Sequence, residues 1–196
     1  MTGDGSFCRE RKFRYEENGP SVEKNRMSET EKRDLWLTAD DEHLKEGCII
    51  DFHKCSGNGG QKVNKTSSAV RLIHKASGLS AEDTRERSQA RNLSNALKKL
   101  RLRIALKIRN PITETSPLPV LSPPPSLNNV KTYSTALALM LDRLMDCCWD
   151  LPAAAEAMNI SKTKLTKLIF RDPAFLLEVN RGRSEKGLPP LQNPAK

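Results

Sequence analysis

Little in this sequence points to a membrane, a metal or a disulfide-bonded scaffold. No apolar run approaches the roughly 20 residues needed to cross a bilayer, and the first residues lack the apolar core of a secretory signal. Arg9, Arg11, Lys12 and Arg14 would suit a transit peptide, but Glu10, Glu16 and Glu17 interrupt them, and such peptides avoid acids. A cytoplasmic protein is the expectation. The five cysteines, Cys8, Cys48, Cys55, Cys147 and Cys148, include no Cys-x-x-Cys pair. The three histidines, His43, His53 and His74, show no metal-ligand spacing. An odd cysteine count with a vicinal pair argues against a disulfide framework, so free thiols and neither metal nor other cofactor are expected. Gly-Lys-Ser and Gly-Lys-Thr are absent, which excludes a Walker phosphate loop. Aromatic residues are only 5% and hydrophobic residues 37% of the 196. That composition is thin for one large core and fits two small cores with some solvated tail.

What is present is positive charge, in one place. Between Lys54 and Arg109 there are 14 basic and 3 acidic residues, whereas the remaining 19 basic and 21 acidic residues nearly cancel. The whole net charge of +9 therefore resides in a central segment. Such a concentration predicts a polyanionic partner, with counterion release supplying affinity that does not depend on sequence.

The chain divides into regions. Residues 1–40 are polar and mixed in charge with almost no apolar periodicity, which predicts a disordered or frayed arm. Residues 41–109 read as a compact α+β unit. Cys48 to Cys55 alternates as a strand with Ile50 and Phe52 on one face, Ala69 to Lys75 as a second, and Leu79 to Thr84 as a third after the Ser77-Gly78 turn. After Ser88, a suitable N-cap, Leu93, Leu97, Leu100, Ile104 and Ile108 form one helical stripe that should pack on the short antiparallel sheet. Arg91, Lys98, Lys99 and Arg101 are read as lying off that stripe, facing solvent or RNA. Residues 110–130 carry Pro111, Pro117, Pro119 and Pro123-Pro124-Pro125, which predicts a semi-extended spacer. From 131 to 184 a small all-α module is expected. Its first helix shows Leu137, Met140, Leu141 and Leu144 on one side, later ones open at Asp150, Ser161 and Asp172, and 185–196 is a tail.

The residues from Cys55 to His74, CSGNGGQKVNKTSSAVRLIH, separate the first two expected strands. Ser56, Gly57, Gly59, Gly60, Gln61, Val63, Asn64, Lys65, Ser68, Ala69, Val70, Arg71 and Leu72 stand in one ordered pattern. Gly78, Leu79, Arg87-Ser88-Gln89 and Asn92 continue it. This segment resembles the GGQ domain of the class I peptide chain release factors and, among them, the small ribosome-rescue peptidyl-tRNA hydrolases. The usual pattern there is Ser-Gly-Pro-Gly-Gly-Gln, one residue, Val-Asn-Lys, then Ser-Ala-Val-Arg-Leu. Asn58 replaces the common proline, a substitution that a turn accepts. Asp83 and Thr84 stand where the family has more apolar or amide residues.

The resemblance implies a chemistry. The substrate would be the ester joining a nascent peptide to the ribose of tRNA in the peptidyl transferase centre. Gly59 and Gly60 would permit close backbone approach. The N–H of Gln61 would stabilise charge developing on the leaving oxygen, and its side chain would position water. Lys62, Lys65, Arg71, Arg87, Arg91, Lys98 and Arg101 would contact ribosomal RNA, with Asn64 shaping the loop or joining that contact. The implied partners are the large-subunit RNA, peptidyl-tRNA and a glutamine methyltransferase acting on Gln61.

Codon-reading release factors carry a separate decoding domain. Some 55 residues before the loop and a linker near 110 leave no room for it, which favours codon-independent rescue of stalled ribosomes. The rescue hydrolases commonly have a Lys/Arg-rich tail, which this chain lacks, and the C-terminal module is its expected replacement. Ala155, Met158, Asn159, Ile160, Leu165 and Leu168 fit helix-turn-helix spacing, and the second helix would present Lys162, Lys164 and Lys167 to nucleic acid. Two other readings stand beside the hydrolase: a non-catalytic ribosome- or RNA-binding module, and a helix-turn-helix DNA-binding regulator. The module's net charge of +3 over residues 131–196 is weak for a stand-alone DNA reader.

Overall fold

The computed structural model describes residues 29–53 and 68–192. Helix α1 (Glu29–Thr38) and the short α2 (Asp41–Glu46) lead into strand β1 (Cys48–His53). Strands β2 (Ala69–His74) and β3 (Ser80–Asp83) complete a three-stranded antiparallel sheet in the order β1-β2-β3. Phe52 pairs with Val70 and His53 with Ala69, while Val70 pairs with Asp83 on the other side. Alternation sends Val70, Leu72, Ala81 and Asp83 to the buried face and Arg71 and Glu82 to the exposed one. The long helix α3 (Gln89–Lys107) packs on β2 and β3. Ser88 caps it by accepting from the Arg91 N–H, and the Asn110-Pro111 step carries the chain out of helical conformation.

Four further helices follow: α4 (Val130–Asp146), α5 (Leu151–Ala157), α6 (Lys162–Arg171) and α7 (Pro173–Glu185). Asn129, Asp150, Ser161 and Asp172 each accept a backbone N–H of the first turn that they open, satisfying donors that a helix start leaves bare. The α4–α5 turn places Cys148 at φ 52° and Trp149 at φ 64°, and so folds the indole back onto α7. A Cβ on Gly182 would lie 2.1 Å from that ring, so α7 can approach only because this residue has no side chain. Asn159, at φ 54°, turns the chain between α5 and α6.

The two small cores suggested by composition are a single cluster. Helix α4 packs against α1, α3, α5 and α7, and the buried apolar residues run from Leu37 through Leu100 and Leu137 to Val179. The frayed arm expected up to residue 40 is also corrected, because residues 29–38 form α1. Its buried positions are Arg33 and Leu37, both 0% exposed. The Arg33 guanidinium reaches Asp142 of α4 at 2.7 Å, and this charge pairing fixes the helix without an apolar stripe. Residues 110–129 form neither helix nor strand, but they are tied down rather than extended through solvent. Leu121 is buried, Ser116 O accepts from Arg143, Ser122 Oγ accepts from Lys164, and Pro125 O accepts from Arg171. After α7, Leu191 exchanges two hydrogen bonds with the Asn180 carboxamide, so the predicted tail is fastened at that residue.

Candidate functional site

The connection between β1 and β2 carries the glycine-rich segment. Gly59, Gly60, Gln61, Lys62, Asn64 and Lys65 lie outside the described residues. Their structural frame is described on both sides. The strand ends His53 and Ala69 face each other across the β1–β2 ladder, so the segment begins and returns at one end of the sheet. His53 Nε2 lies 3.1 Å from Glu82 Oε1 of β3, reaching across the exposed sheet face past Arg71, which stands in register between Asp51 and Glu82.

On the buried side, the returning residue Ser68 is held by Asn92. The Asn92 side chain is fully buried in the first turns of α3. Its Nδ2 donates to Ser68 O at 2.7 Å and to Glu86 O at 2.8 Å, while its Oδ1 accepts from the Glu86 N–H at 2.9 Å. A single carboxamide thus joins the root of the glycine-rich segment, the β3–α3 turn and the start of the helix. The role was not anticipated from the sequence, although Asn92 lies in the matched pattern and four residues before the buried Ala96, on the covered side of the helix.

Asp83 closes the same buried face. Burial would raise its carboxyl, but hydrogen bonds from Lys99, the Arg85 side chain and the Arg85 N–H together outweigh burial and hold it at about 2. The acid that departs from the apolar pattern at the end of β3 is therefore stably ionised inside an internal cation pair: its carboxylate lies 2.7 Å from Lys99 and 2.9 Å from Arg85.

The remaining cations divide. Arg71, Arg87, Arg91 and Lys98 are exposed, and Arg87, Arg91 and Lys98, at spacings of four and seven, fall along one side of α3 and its leading turn. Arg101 is corrected. It is 2% exposed and donates to the carbonyls of Trp36, Leu37 and Ala39 and to Asp41 Oδ1 at 2.8–3.0 Å. Those carbonyls sit at the C-terminal end of α1, where a helix leaves acceptors bare and favours a cation. Arg101 is thus a structural cap and not a solvent-facing RNA contact. Its spacing of four from Leu97 and three from Ile104 places it on the buried stripe, a signal that its charge concealed. In α6, Lys162 and Lys167 are exposed, whereas Lys164 donates to Ser122 Oγ at 2.7 Å.

No helix among the described residues is long and apolar enough to cross a membrane. Residues 40–116 match the family model described as the RF-1 domain. A peptide chain release factor 2 of Bordetella pertussis is 43% identical over 70 residues, covering 35% of this chain and 19% of its own length. A peptide chain release factor 1 of Methylibium petroleiphilum is 36% identical over 121 residues, 56% of this chain and 33% of its own. A mitochondrial peptide chain release factor 1-like protein of Rattus norvegicus is 51% identical over 55 residues, 28% of this chain and 15% of its own. The chain thus spans between about a seventh and a third of the length of these relatives.

Proposed function

We propose, for a chain that carries an RF-1 domain over residues 40–116, that it hydrolyses the ester of peptidyl-tRNA on the ribosome without reading a stop codon. The observation that carries this reading is the position of Gly59-Gly60-Gln61 within that domain, on a connection whose two ends meet at one edge of the sheet. The relatives' shared name, peptide chain release factor, supports the reaction class. Codon independence is the finer part of the proposal. The match covers only a minor share of the relatives' length, and the elements beside the RF-1 segment are the helices α4 to α7 packed on α3.

In this reading water attacks the ester carbonyl carbon, and the bond from that carbon to the ribose oxygen breaks. A proton passes to the leaving oxygen, so that peptide acid and deacylated tRNA result. Gly59 and Gly60 let the backbone approach without side-chain clash. The Gln61 N–H stabilises the developing negative charge, which needs donors already in place rather than a strong base. The Gln61 side chain positions the water and is the atom group on which a glutamine methyltransferase would act. Lys62, Lys65 and Arg71 neutralise ribosomal phosphates around the loop, with Asn64 shaping it, and Arg87, Arg91 and Lys98 extend that contact along α3. Lys162 and Lys167, with Lys164 beside them, supply a second nucleic-acid contact from the helical module, whose α5–α6 pair is read as helix-turn-helix-like.

The test is release of labelled peptide from ribosomes stalled on truncated mRNA. Wild-type protein should release it, and Gln61→Ala and Gly60→Ala should abolish release while still sedimenting with ribosomes. Ribosome binding with no release by the wild type would leave an RNA-binding module in its place. Neither binding nor release would sink the reading altogether.

A further inference from the structure

We infer that Asn92 is a positioning residue for the loop reaction, acting through the backbone of Ser68; the inference rests on the hydrolase reading above. Three observations carry it. The side chain is fully buried, and its three hydrogen bonds use both amide hydrogens and the carbonyl oxygen. A buried polar group held by three partners is costly to disturb and confines all of them. One of those bonds spans 24 residues to the segment's root, while the other two bind the β3–α3 turn, so the root is referenced to the most rigid element of the domain. The Ser68 carbonyl lies one residue from β2, whose Ala69 opens the ladder opposite His53. Displacing it shifts the returning limb of the glycine-rich connection relative to the sheet. Catalysis that depends on a backbone N–H is sensitive to such a shift, because a misplacement near 1 Å can cost on the order of 100-fold in rate. The role belongs to an asparagine. A carboxylate at this position still accepts the Glu86 N–H but can donate to neither Ser68 O nor Glu86 O.

The experiment compares wild type, Asn92→Asp, and Val179→Ala as a control that lowers stability from α7. All are assayed well below their melting temperatures. Saturating single-turnover release gives a maximal rate and a half-saturating ribosome concentration, and amide exchange reports on residues 69–71. Asn92→Asp should lower the maximal rate by about tenfold or more, leave half-saturation within about twofold, and speed exchange at 69–71. Val179→Ala should change neither the maximal rate nor that exchange. An unchanged maximal rate in Asn92→Asp overturns the inference, as does an equal loss in Val179→Ala. If the wild type itself releases nothing, the hydrolase reading fails separately, and unaltered exchange at 69–71 in Asn92→Asp then overturns the anchoring as well.

Discussion

Arg33 and Asp142 form an ion pair that is closed off from solvent, with the guanidinium Nη1 at 2.7 and 2.9 Å from the two carboxylate oxygens. It joins the first helix to α4 across 109 residues of sequence. Arg33 also donates to Ile108 O and Asp34, and Asp142 accepts from the Asn110 N–H. Removing one partner strands the other charge in the interior. Arg33→Ala or Asp142→Ala should therefore cost roughly 3–5 kcal/mol, whereas Arg33→Met with Asp142→Leu should recover most of that loss. Urea denaturation of the four proteins measures both. Single variants within 1 kcal/mol of the wild type would show that the pair does not hold the two helices.

Two cations three residues apart on α3 should behave in opposite ways. Arg101→Ala leaves three carbonyls at the end of α1 without their donor and should lower unfolding free energy by roughly 1–3 kcal/mol. Lys98→Ala removes an exposed side chain and should leave stability within about 0.5 kcal/mol. If Lys98 meets a ribosomal phosphate, its loss should flatten the salt dependence of ribosome binding by about one counterion. Thermal melts and binding at several salt concentrations separate the two residues, and an equal effect of both on stability would contradict the burial difference.

Acid should loosen the sheet through Asp83. The group is depressed from 3.8 unfolded to about 2 folded. Its contribution is fully present above the unfolded value and is lost as pH falls from about 4 through 2. Asp83→Asn should be less stable than wild type at neutral pH, with the difference shrinking across that window. A stability gap that stays constant from pH 5 to 2 would show that the carboxylate draws nothing from Lys99 and Arg85.

The strands and caps were legible because local chemistry specifies them. Alternation from Cys48 and Ala69 gave β1 and β2 to within a residue or two. Ser88, Asp150, Ser161 and Asp172 each cap the helix they open, and Leu97, Leu100 and Ile104 lie on the covered side of α3. What escaped was polar and long-range. Helix α1 buries an arginine where periodicity looks for an apolar residue, and its reason for folding, Asp142, is 109 residues away. Arg101 sits on the apolar stripe but was assigned by charge rather than by spacing. Asn92 was visible as part of a pattern, yet its partners Ser68 and Glu86 are set by the sheet–helix packing, which no single stretch of sequence encodes. The glycine-rich residues themselves were legible as a motif, and their chemistry stays a proposal.

The proline-rich stretch from 110 to 129 invites the view that this protein can be divided there. Its ties to Arg143, Lys164 and Arg171, and the burial of Leu121 between them, remove the natural seam. Severing the chain at residue 110 would leave each half with a bare apolar flank and half of every ion pair that joins α1 and α3 to α4 and α7. The two halves would then act as complementing fragments, each poorly soluble alone and each the other's missing wall.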